Sequence, residues 1–402
     1  MIHALAIFIG YILGSLNPAF FFGKILKQID IRDHGTKNAG TTNAKNLLGF
    51  WPAAMTAIFD VAKGLAAIEI AFAFGVPAEF AYLAGLAAIV GHVFPFYLGF
   101  RGGQGMATSV GLLFYLAIKL GLAGAIGWQG FLPALSVLIF AVLAIIYIMR
   151  DTRAIGILVL PAFIVFLLAN TRRDIELYFL LLLLLYMIAI NILVLFQQKV
   201  FNLEITDDKT EHLLNWRTFA RPLAVILVVF LFRLPKFFDL YLIGGLALVF
   251  ILIDLIRLLS QRANQVIFSW RGFLKEKDRR RFSSMTQFLS AVFLIVLVFP
   301  ADIAGLSVIF LIFGDLAAKF FGIFYSKTKI LDRSVEGTLA HFTFSLLAGA
   351  IFIQFVPLPY YLLILGAATA ALTDLFTIFG IDDNFTVGLI SAAVMQAVRT
   401  FV

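Results

Sequence analysis

Long apolar stretches alternate with short polar segments along the whole chain. About fourteen of these stretches are long enough to cross a membrane as helices, and a polar run near residues 198–215 separates them into two sets. The pattern predicts an all-α polytopic membrane protein with about 14 transmembrane helices in two seven-helix modules. We expect the domains to be residues 1–200 and 201–402. The predicted spans are approximately 2–22, 52–74, 80–98, 105–121, 128–149, 154–170, 177–196, 222–237, 240–258, 286–301, 303–322, 338–356, 359–379 and 386–401.

Composition supports the membrane assignment. The 402 residues are 62% hydrophobic and 13% charged, with a mean hydropathy of +1.01, which excludes an ordinary soluble domain. Cysteine is absent, so a disulfide framework and a thiol nucleophile are excluded as well. Residues 1–22 lack a basic leader and a small-residue cleavage site, and we interpret them as a retained helix.

The positive charge is distributed unevenly among the predicted loops. On the predicted face that carries every polar motif, Lys and Arg residues outnumber the Lys and Arg residues of the opposite face roughly four to one. Basic loops of this kind remain in the cytoplasm and meet anionic lipid head groups, so the net charge of +8 requires no nucleic acid partner. We therefore expect a multi-pass protein of the cytoplasmic membrane, with both motif sets described below facing the cytoplasm.

The first half carries polar motifs rich in glycine and small residues. A loop over 30–43 reads Asp-Ile-Arg-Asp-His-Gly-Thr-Lys-Asn-Ala-Gly-Thr-Thr-Asn, a composition that lets a backbone fold around an anion. Asp60 and Lys63 share one helix face and can neutralise each other. The segment 99–108 contains three glycines ahead of a helix, and their backbone N–H groups are candidates for binding a phosphate.

These motifs, taken in order, resemble the bacterial acyl-phosphate–glycerol-3-phosphate acyltransferase family. The resemblance implies a seven-span enzyme that makes lysophosphatidic acid from acyl phosphate and glycerol 3-phosphate without a cofactor. The substrate-binding residues that it implies are Ser15, Thr36, Asn38, Gly40, Asn43, Lys63, His92, Arg101, Gly102, Gly103 and Gly105.

The chain departs from that family at four places. Thr36 stands for the serine of the first loop, Asn46 for an arginine and Gln104 for the lysine of the glycine loop. The His-x-x-Asn pair expected after the last span of the module is missing, and the nearest such spacing is His212 with Asn215. Two cationic phosphate contacts are thereby lost, so an altered or inactive acyltransferase, or a structural relic, stays an alternative.

The second half places acidic and basic residues among apolar segments, where each charge is costly and points to function. Acids can hold a divalent cation and bases can hold phosphates, a mixture suited to phosphoryl transfer from a nucleotide. The charged and polar residues are Asp315, Lys319, Lys327, Lys329, Arg333, Ser334, Glu336, Asp374, Asp382, Asp383 and Asn384.

The Gly-Asp, Ser-x-Glu-Gly and Asp-Asp-Asn blocks in this order resemble the CTP-dependent lipid kinase family, which includes dolichol, phytol and diacylglycerol kinases. The resemblance implies phosphorylation of a lipid alcohol by CTP with Mg²⁺. The implied metal ligands are Asp315, Asp382 and Asp383, and the catalytic set is Asp315, Glu336, Asp374 and Asp383, with Glu336 or Asp374 as base or second metal ligand. The implied nucleotide-binding residues are Lys319, Lys329, Arg333, Ser334 and Asn384.

Simpler interpretations stay open beside these. Asp315 and Lys319 are four residues apart and are compatible with a plain helix pair, and residues 382–384 are compatible with a helix cap. For the whole chain the rivals are a lipid or anion transporter or flippase, and a scaffold in which only the kinase module acts. The expected partners are membrane lipids, acyl phosphate, glycerol 3-phosphate and CTP.

Overall fold

The computed structural model describes residues 1–149, 155–197, 225–233, 236–269, 276–330, 333–376 and 383–401. The described chain is almost entirely helical, as the hydropathy pattern predicts. Its helices in the first half are α1 (Ile2–Ser15), α2 (Pro18–Lys27), α3 (Thr41–Leu48), α4 (Phe50–Ala73), α5 (Ala78–Val93), α6 (Met106–Leu122), α7 (Trp128–Met149), α8 (Ile155–Asn170) and α9 (Ile175–Gln197). Those of the second half are α10 (Val225–Arg233), α11 (Lys236–Leu259), α12 (Gln261–Ser269), α13 (Ser284–Val298), α14 (Ala301–Ile309), α15 (Asp315–Phe324), α16 (Val335–Phe352), α17 (Tyr360–Leu375) and α18 (Asp383–Phe401).

Among the described residues, seven helical stretches are long and apolar enough to cross a membrane. Four shorter apolar helices accompany them, which are α6, α8, α13 and α17. A polytopic all-α membrane protein is therefore confirmed, whereas the count of about 14 spans stays a prediction. The seven stretches are Ile2–Lys27, Ala78–Leu98, Trp128–Met149, Ile175–Val194, Leu240–Leu259, Ala301–Phe324 and Val335–Phe352.

The chain forms two compact units. The first unit comprises Met1–Phe131 and Leu167–Gln198, and the second comprises Leu132–Phe166 and Lys199–Val402. Compactness thus groups most of α7 and α8 with the second half of the chain, although they precede residue 200. The division of the sequence into domains 1–200 and 201–402 stays a prediction.

Small residues allow α1 and α5 to approach closely in the first unit. A side chain at Gly10 would overlap the carbonyl of Ala84, and one at Gly14 would overlap that of Ala88. Such small-residue contacts are a common means of packing membrane helices, because lipid supplies no hydrophobic force between them. The close contact fixes the end of α5, from which the candidate site of this unit begins.

A long buried helical stretch lies in the core of the second unit. Ala301–Phe324 is a single stretch interrupted by a π-helical segment, Phe310–Gly314, directly before Asp315. Local π geometry of this kind is frequent at functional sites. A two-stranded antiparallel ribbon, Lys329–Ile330 with Arg333–Ser334, then leads into α16.

Candidate functional site

Arg32 connects two loops of the first unit. Its guanidinium forms an ion pair with Asp30 (Nη2 to Oδ2, 2.7 Å) and donates from Nη1 to the carbonyls of Leu98 (2.6 Å) and Arg101 (2.8 Å). The side-chain hydrogen bond from Arg32 lowers the pKa of Asp30 to about 2, so its carboxylate is ionised at neutral pH. The loop over 30–43 is thereby held against the loop over 98–101.

Asn43 shapes the interior of the first loop. Its Nδ2 donates to the carbonyls of Ile31 (2.7 Å) and His34 (3.0 Å), and its Oδ1 accepts the backbone N–H of Thr36 (2.9 Å). Asn43 is buried, and a Cβ at Gly35, whose φ is +60°, would overlap its Oδ1. The side chain of Asn43 is therefore occupied by the loop backbone.

The glycine loop folds back onto the end of α5. The backbone N–H of Gly102 donates to Val93 O (3.0 Å), and that of Gly103 donates to His92 O (3.0 Å). The sequence leads us to expect these N–H groups to face a phosphate, and for Gly102 and Gly103 the structure corrects that expectation, because the tertiary fold uses both. Gly105 has a φ of +71° and precedes α6.

A buried charged cluster lies behind this loop. Lys63 Nζ is 2.8 Å from Asp60 Oδ1, 2.7 Å from His92 Nδ1 and 3.1 Å from the carbonyl of Leu16. The side chains of Asp60, Lys63 and His92 are at most 4% exposed. Mutual neutralisation of Asp60 and Lys63, expected from their spacing, is thus observed.

The predicted residues of the first unit differ in exposure. Thr36 and Arg101 are exposed, with Arg101 Nη2 4.0 Å from Asp33 Oδ1, and Ser15 is buried with its Oγ donating to Tyr11 O (2.9 Å). The half-buried ones are Asn38, Gly40 and Gly102, and the buried ones are Ser15, Asn43, Lys63, His92, Gly103 and Gly105.

Three carboxylates meet in the second unit. Asp315, Asp374 and Asp383 come from α15, α17 and α18, and each offers an oxygen within 4.8 Å of the others. Asp315 and Asp374 are buried. The expected meeting of Asp315 and Asp383 is therefore observed, and Asp374 completes the group, whereas Asp382 lies outside the described residues.

Two cations balance these acids. Arg333 donates from Nη2 to Asp374 Oδ1 (3.0 Å) and to the Asp383 carboxylate, and its Nε reaches the backbone carbonyl of Asp374 (3.3 Å). Lys319 Nζ is 2.5 Å from Asp315 Oδ2, one helical turn away. Three carboxylate oxygens this close together fit the preference of Mg²⁺ for oxygen ligands.

Glu336 has a different environment. Its Oε2 accepts the backbone N–H groups of Lys327 (3.1 Å) and Thr328 (3.3 Å), so the carboxylate holds the loop before the ribbon. The sequence groups Glu336 with Asp315 and Asp383, but its carboxylate is not part of the described three-carboxylate group. Its role as a base stays a prediction.

A cavity of about 310 Å³ is lined by Asp374, one of the three carboxylates, and by the two cations that pair with the group, Lys319 and Arg333. Ser334 caps α16 through a hydrogen bond from the N–H of Gly337 (3.0 Å), and Asn384 is buried near the start of α18. The candidate nucleotide or acidic residues that line the cavity are Lys319, Lys329, Arg333, Ser334 and Asp374. Cations and a carboxylate thus face one small volume.

Comparison with known proteins concerns the first half of the chain. Residues 4–203 match the family described as glycerol-3-phosphate acyltransferase. Relatives named glycerol-3-phosphate acyltransferase include one from Shouchella clausii, 44% identical over 144 residues (34% of this chain, 62% of the relative), and one from Prochlorococcus marinus subsp. pastoris, 46% identical over 121 residues (30% and 61%).

The chain spans about three fifths of the length of these curated relatives. A solved integral membrane glycerol 3-phosphate acyltransferase, in its glycerol 3-phosphate form, is 24% identical and covers 49% of this chain and 92% of its own. Its TM-score is 0.38, which is too low to support a conclusion about the fold or function of this chain.

Two departures from the acyltransferase pattern lie on α3 and in the glycine loop. Asn46 is exposed on α3, and Gln104 is half-buried, with its backbone carbonyl accepting the hydroxyl of Tyr186 (2.8 Å). His212 and Asn215 lie outside the described residues.

The sequence pattern gave no role to two arginines that organise networks of hydrogen bonds, Arg32 and Arg257. Arg32 stands inside the first motif, and its local Asp-x-Arg spacing was the available signal. Arg257 is fully buried, pairs with Asp254 (Nε to Oδ1, 2.6 Å) and donates to the carbonyls of Asp278 and Arg281. In the sequence, this network is indicated by Asp254 and Arg257, a charged pair three residues apart within the apolar run 240–259.

Proposed function

We propose that the first unit transfers an acyl group from acyl phosphate to glycerol 3-phosphate. The glycerol hydroxyl attacks the acyl carbonyl, an ester bond forms, and the bond to the phosphate oxygen breaks, which releases inorganic phosphate and lysophosphatidic acid. The observation that supports this most is the family match over 4–203, joined to loops that Arg32 holds together.

Restoring the two cations that are missing at Asn46 and Gln104 tests this proposal. Each charge-assisted phosphate contact contributes about 1.5–3 kcal/mol, so losing two weakens phosphate binding about a hundredfold or more. Purified protein is given acyl phosphate and glycerol 3-phosphate, beside a variant carrying Asn46→Arg and Gln104→Lys. A higher rate in the variant supports a weakened acyltransferase, and equal strong activity in the parent shows that these positions do not limit it. No product from either argues against the proposal.

We also propose that the second unit phosphorylates a lipid alcohol with CTP and Mg²⁺ at the inner face of the cytoplasmic membrane. This proposal is supported by the three neighbouring carboxylates and by a cavity that Asp374 lines together with Lys319, Lys329 and Arg333. Asp315, Asp374 and Asp383 would hold the ion, which when bound neutralises charge on the transferred phosphoryl group. Lys319, Lys329 and Arg333 would bind the remaining phosphate oxygens.

A lipid kinase assay tests this second proposal. Protein is given CTP or ATP, Mg²⁺ and a panel that contains diacylglycerol, dolichol and phytol, and phosphorylated lipid is measured. We expect product with CTP and its loss in Asp315→Asn. If no phosphorylated lipid forms, or if Asp315→Asn equals the parent, the kinase proposal fails. Lipid transfer between leaflets without phosphorylation would favour the flippase instead.

A further inference from the structure

Lys63 is a three-way connection inside the first unit. Lys63 Nζ has three polar neighbours within 3.1 Å: it forms an ion pair with Asp60 Oδ1, a hydrogen bond with His92 Nδ1 and a hydrogen bond to the carbonyl of Leu16. These neighbours belong to α4, to the last turn of α5 and to the residue that follows α1. The charge of Lys63 is balanced by Asp60, so the ammonium can remain buried.

The contact between Lys63 Nζ and His92 Nδ1 bears on the tautomer of the ring. A nitrogen that accepts a hydrogen bond from an ammonium carries no proton of its own. With the ammonium as donor to Nδ1, a neutral ring carries its hydrogen on Nε2. Asp60 Oδ1 lies farther from Nδ1, at 3.4 Å, and its closer partner is Lys63.

The Nε2 side of the ring faces the glycine loop. A Cβ at Gly103 would overlap His92 Nε2 and lie 3.0 Å from the carbonyl of Ala39. The backbone N–H of Gly103 donates to His92 O, and Ala39 O accepts Nδ2 of Asn17 (3.0 Å). Gly103 therefore passes between the imidazole and the first loop, at the place where the two candidate substrate loops meet.

We propose that His92 is a positioning residue, locked by Lys63 and Asp60 as the neutral Nε2–H tautomer, which sets the spacing between the loops at Ala39 and Gly103. Lys63 and His92 act through the loops, because their burial and mutual bonding leave them turned away from solvent. The kinetic part of this inference rests on the proposed acyl transfer, whereas the tautomer and the loop spacing do not.

The tautomer is measured directly. Imidazole ¹⁵N NMR on histidine-labelled protein resolves five rings, and His92→Gln assigns the signal of residue 92. We expect a protonated Nε2 and a bare Nδ1 in the parent. The double variant Asp60→Asn with Lys63→Met avoids an unpaired buried charge, and we expect a mixture of tautomers there. An Nδ1-protonated or charged ring in the parent overturns the proposal.

Loop spacing is measured without any assay of activity. The chain has no cysteine, so nitroxide labels at His34→Cys and Phe100→Cys, both exposed positions, report only on the two loops. We expect one narrow distribution of distances between the two labels in the parent. In the double variant and in Gly103→Ala we expect the distribution to be shifted or broadened. Lys27→Met, an exposed lysine, serves as the matched control and leaves the separation unchanged. Unchanged separation in the double variant contradicts a positioning role.

Kinetics distinguish positioning from substrate contact. Misplacing reacting groups by about 1 Å costs up to about a hundredfold, so we expect kcat for acyl transfer to fall about tenfold to a hundredfold in the double variant with KM little changed. A raised KM with unchanged kcat would indicate direct substrate binding and overturn the inference. Absence of acyl transfer in the parent would refute the proposed function alone, since NMR and the label separation still decide this proposal.

Discussion

The two candidate sites use their polar side chains differently. In the loops of the first unit, Asn43 binds backbone groups, and Arg32 binds two backbone carbonyls besides its ion pair with Asp30, so these side chains build the shape of the loops. In the second unit, Arg333 and Lys319 bind the side chains of Asp374, Asp383 and Asp315. The first arrangement is sensitive to loop geometry, whereas the second is sensitive to charge, because neighbouring carboxylates repel when no cation lies among them.

This contrast predicts that removing one negative charge is most harmful in the second unit. We expect Asp374→Asn to lower lipid phosphorylation about a thousandfold, since a metal ion contributes several kcal/mol to charge stabilisation in the transition state. Mn²⁺ binding, measured by electron paramagnetic resonance, should weaken in parallel, which separates loss of the ion from loss of the nucleotide.

Asp302 provides the matched control for that substitution. It pairs with Arg399 at 2.7 Å and is partly exposed, and it is not in the described three-carboxylate group. Asp302→Asn should leave Mn²⁺ binding unchanged. Equal effects of the two substitutions would show that the three carboxylates do not form the ion site.

The next largest effect is expected on removing Arg32, which clamps two loops of the first unit together. Arg32→Met removes the ion pair with Asp30 and the contacts to Leu98 and Arg101. We expect kcat/KM for acyl transfer to fall about a hundredfold, because the loops lose their common anchor. Arg172→Met is the control, since Arg172 also pairs with an acid two residues away but is exposed. Equal losses in both variants would contradict the clamp.

The features of the fold and of the candidate sites that depend on the local sequence pattern could be predicted. Spanning helices need long apolar runs, so hydropathy located them, and acids on separated apolar segments indicated that Asp315 and Asp383 meet. The sequence could not show that backbone N–H groups of the loop at 327–328 bind the carboxylate of Glu336. Nor could it decide between Glu336 and Asp374, and it is Asp374 that joins Asp315 and Asp383. The direction of the Gly102 and Gly103 N–H groups likewise depends on contact with the end of α5, which is tertiary.

The smallest effect concerns a single neutral hydrogen bond at the glycine loop. The Tyr186 hydroxyl donates to Gln104 O at 2.8 Å, and a bond of this kind contributes about 0.5–1.5 kcal/mol. Tyr186→Phe should therefore lower the acyl-transfer rate about twofold to tenfold, with no change in lipid phosphorylation. Tyr178→Phe, at an exposed position on the same helix, is the control. A fall in the acyl-transfer rate as large as that of Arg32→Met would mean that the loop depends on Tyr186 as a principal anchor. If lipid phosphorylation also fell, the two activities would not belong to separate sites.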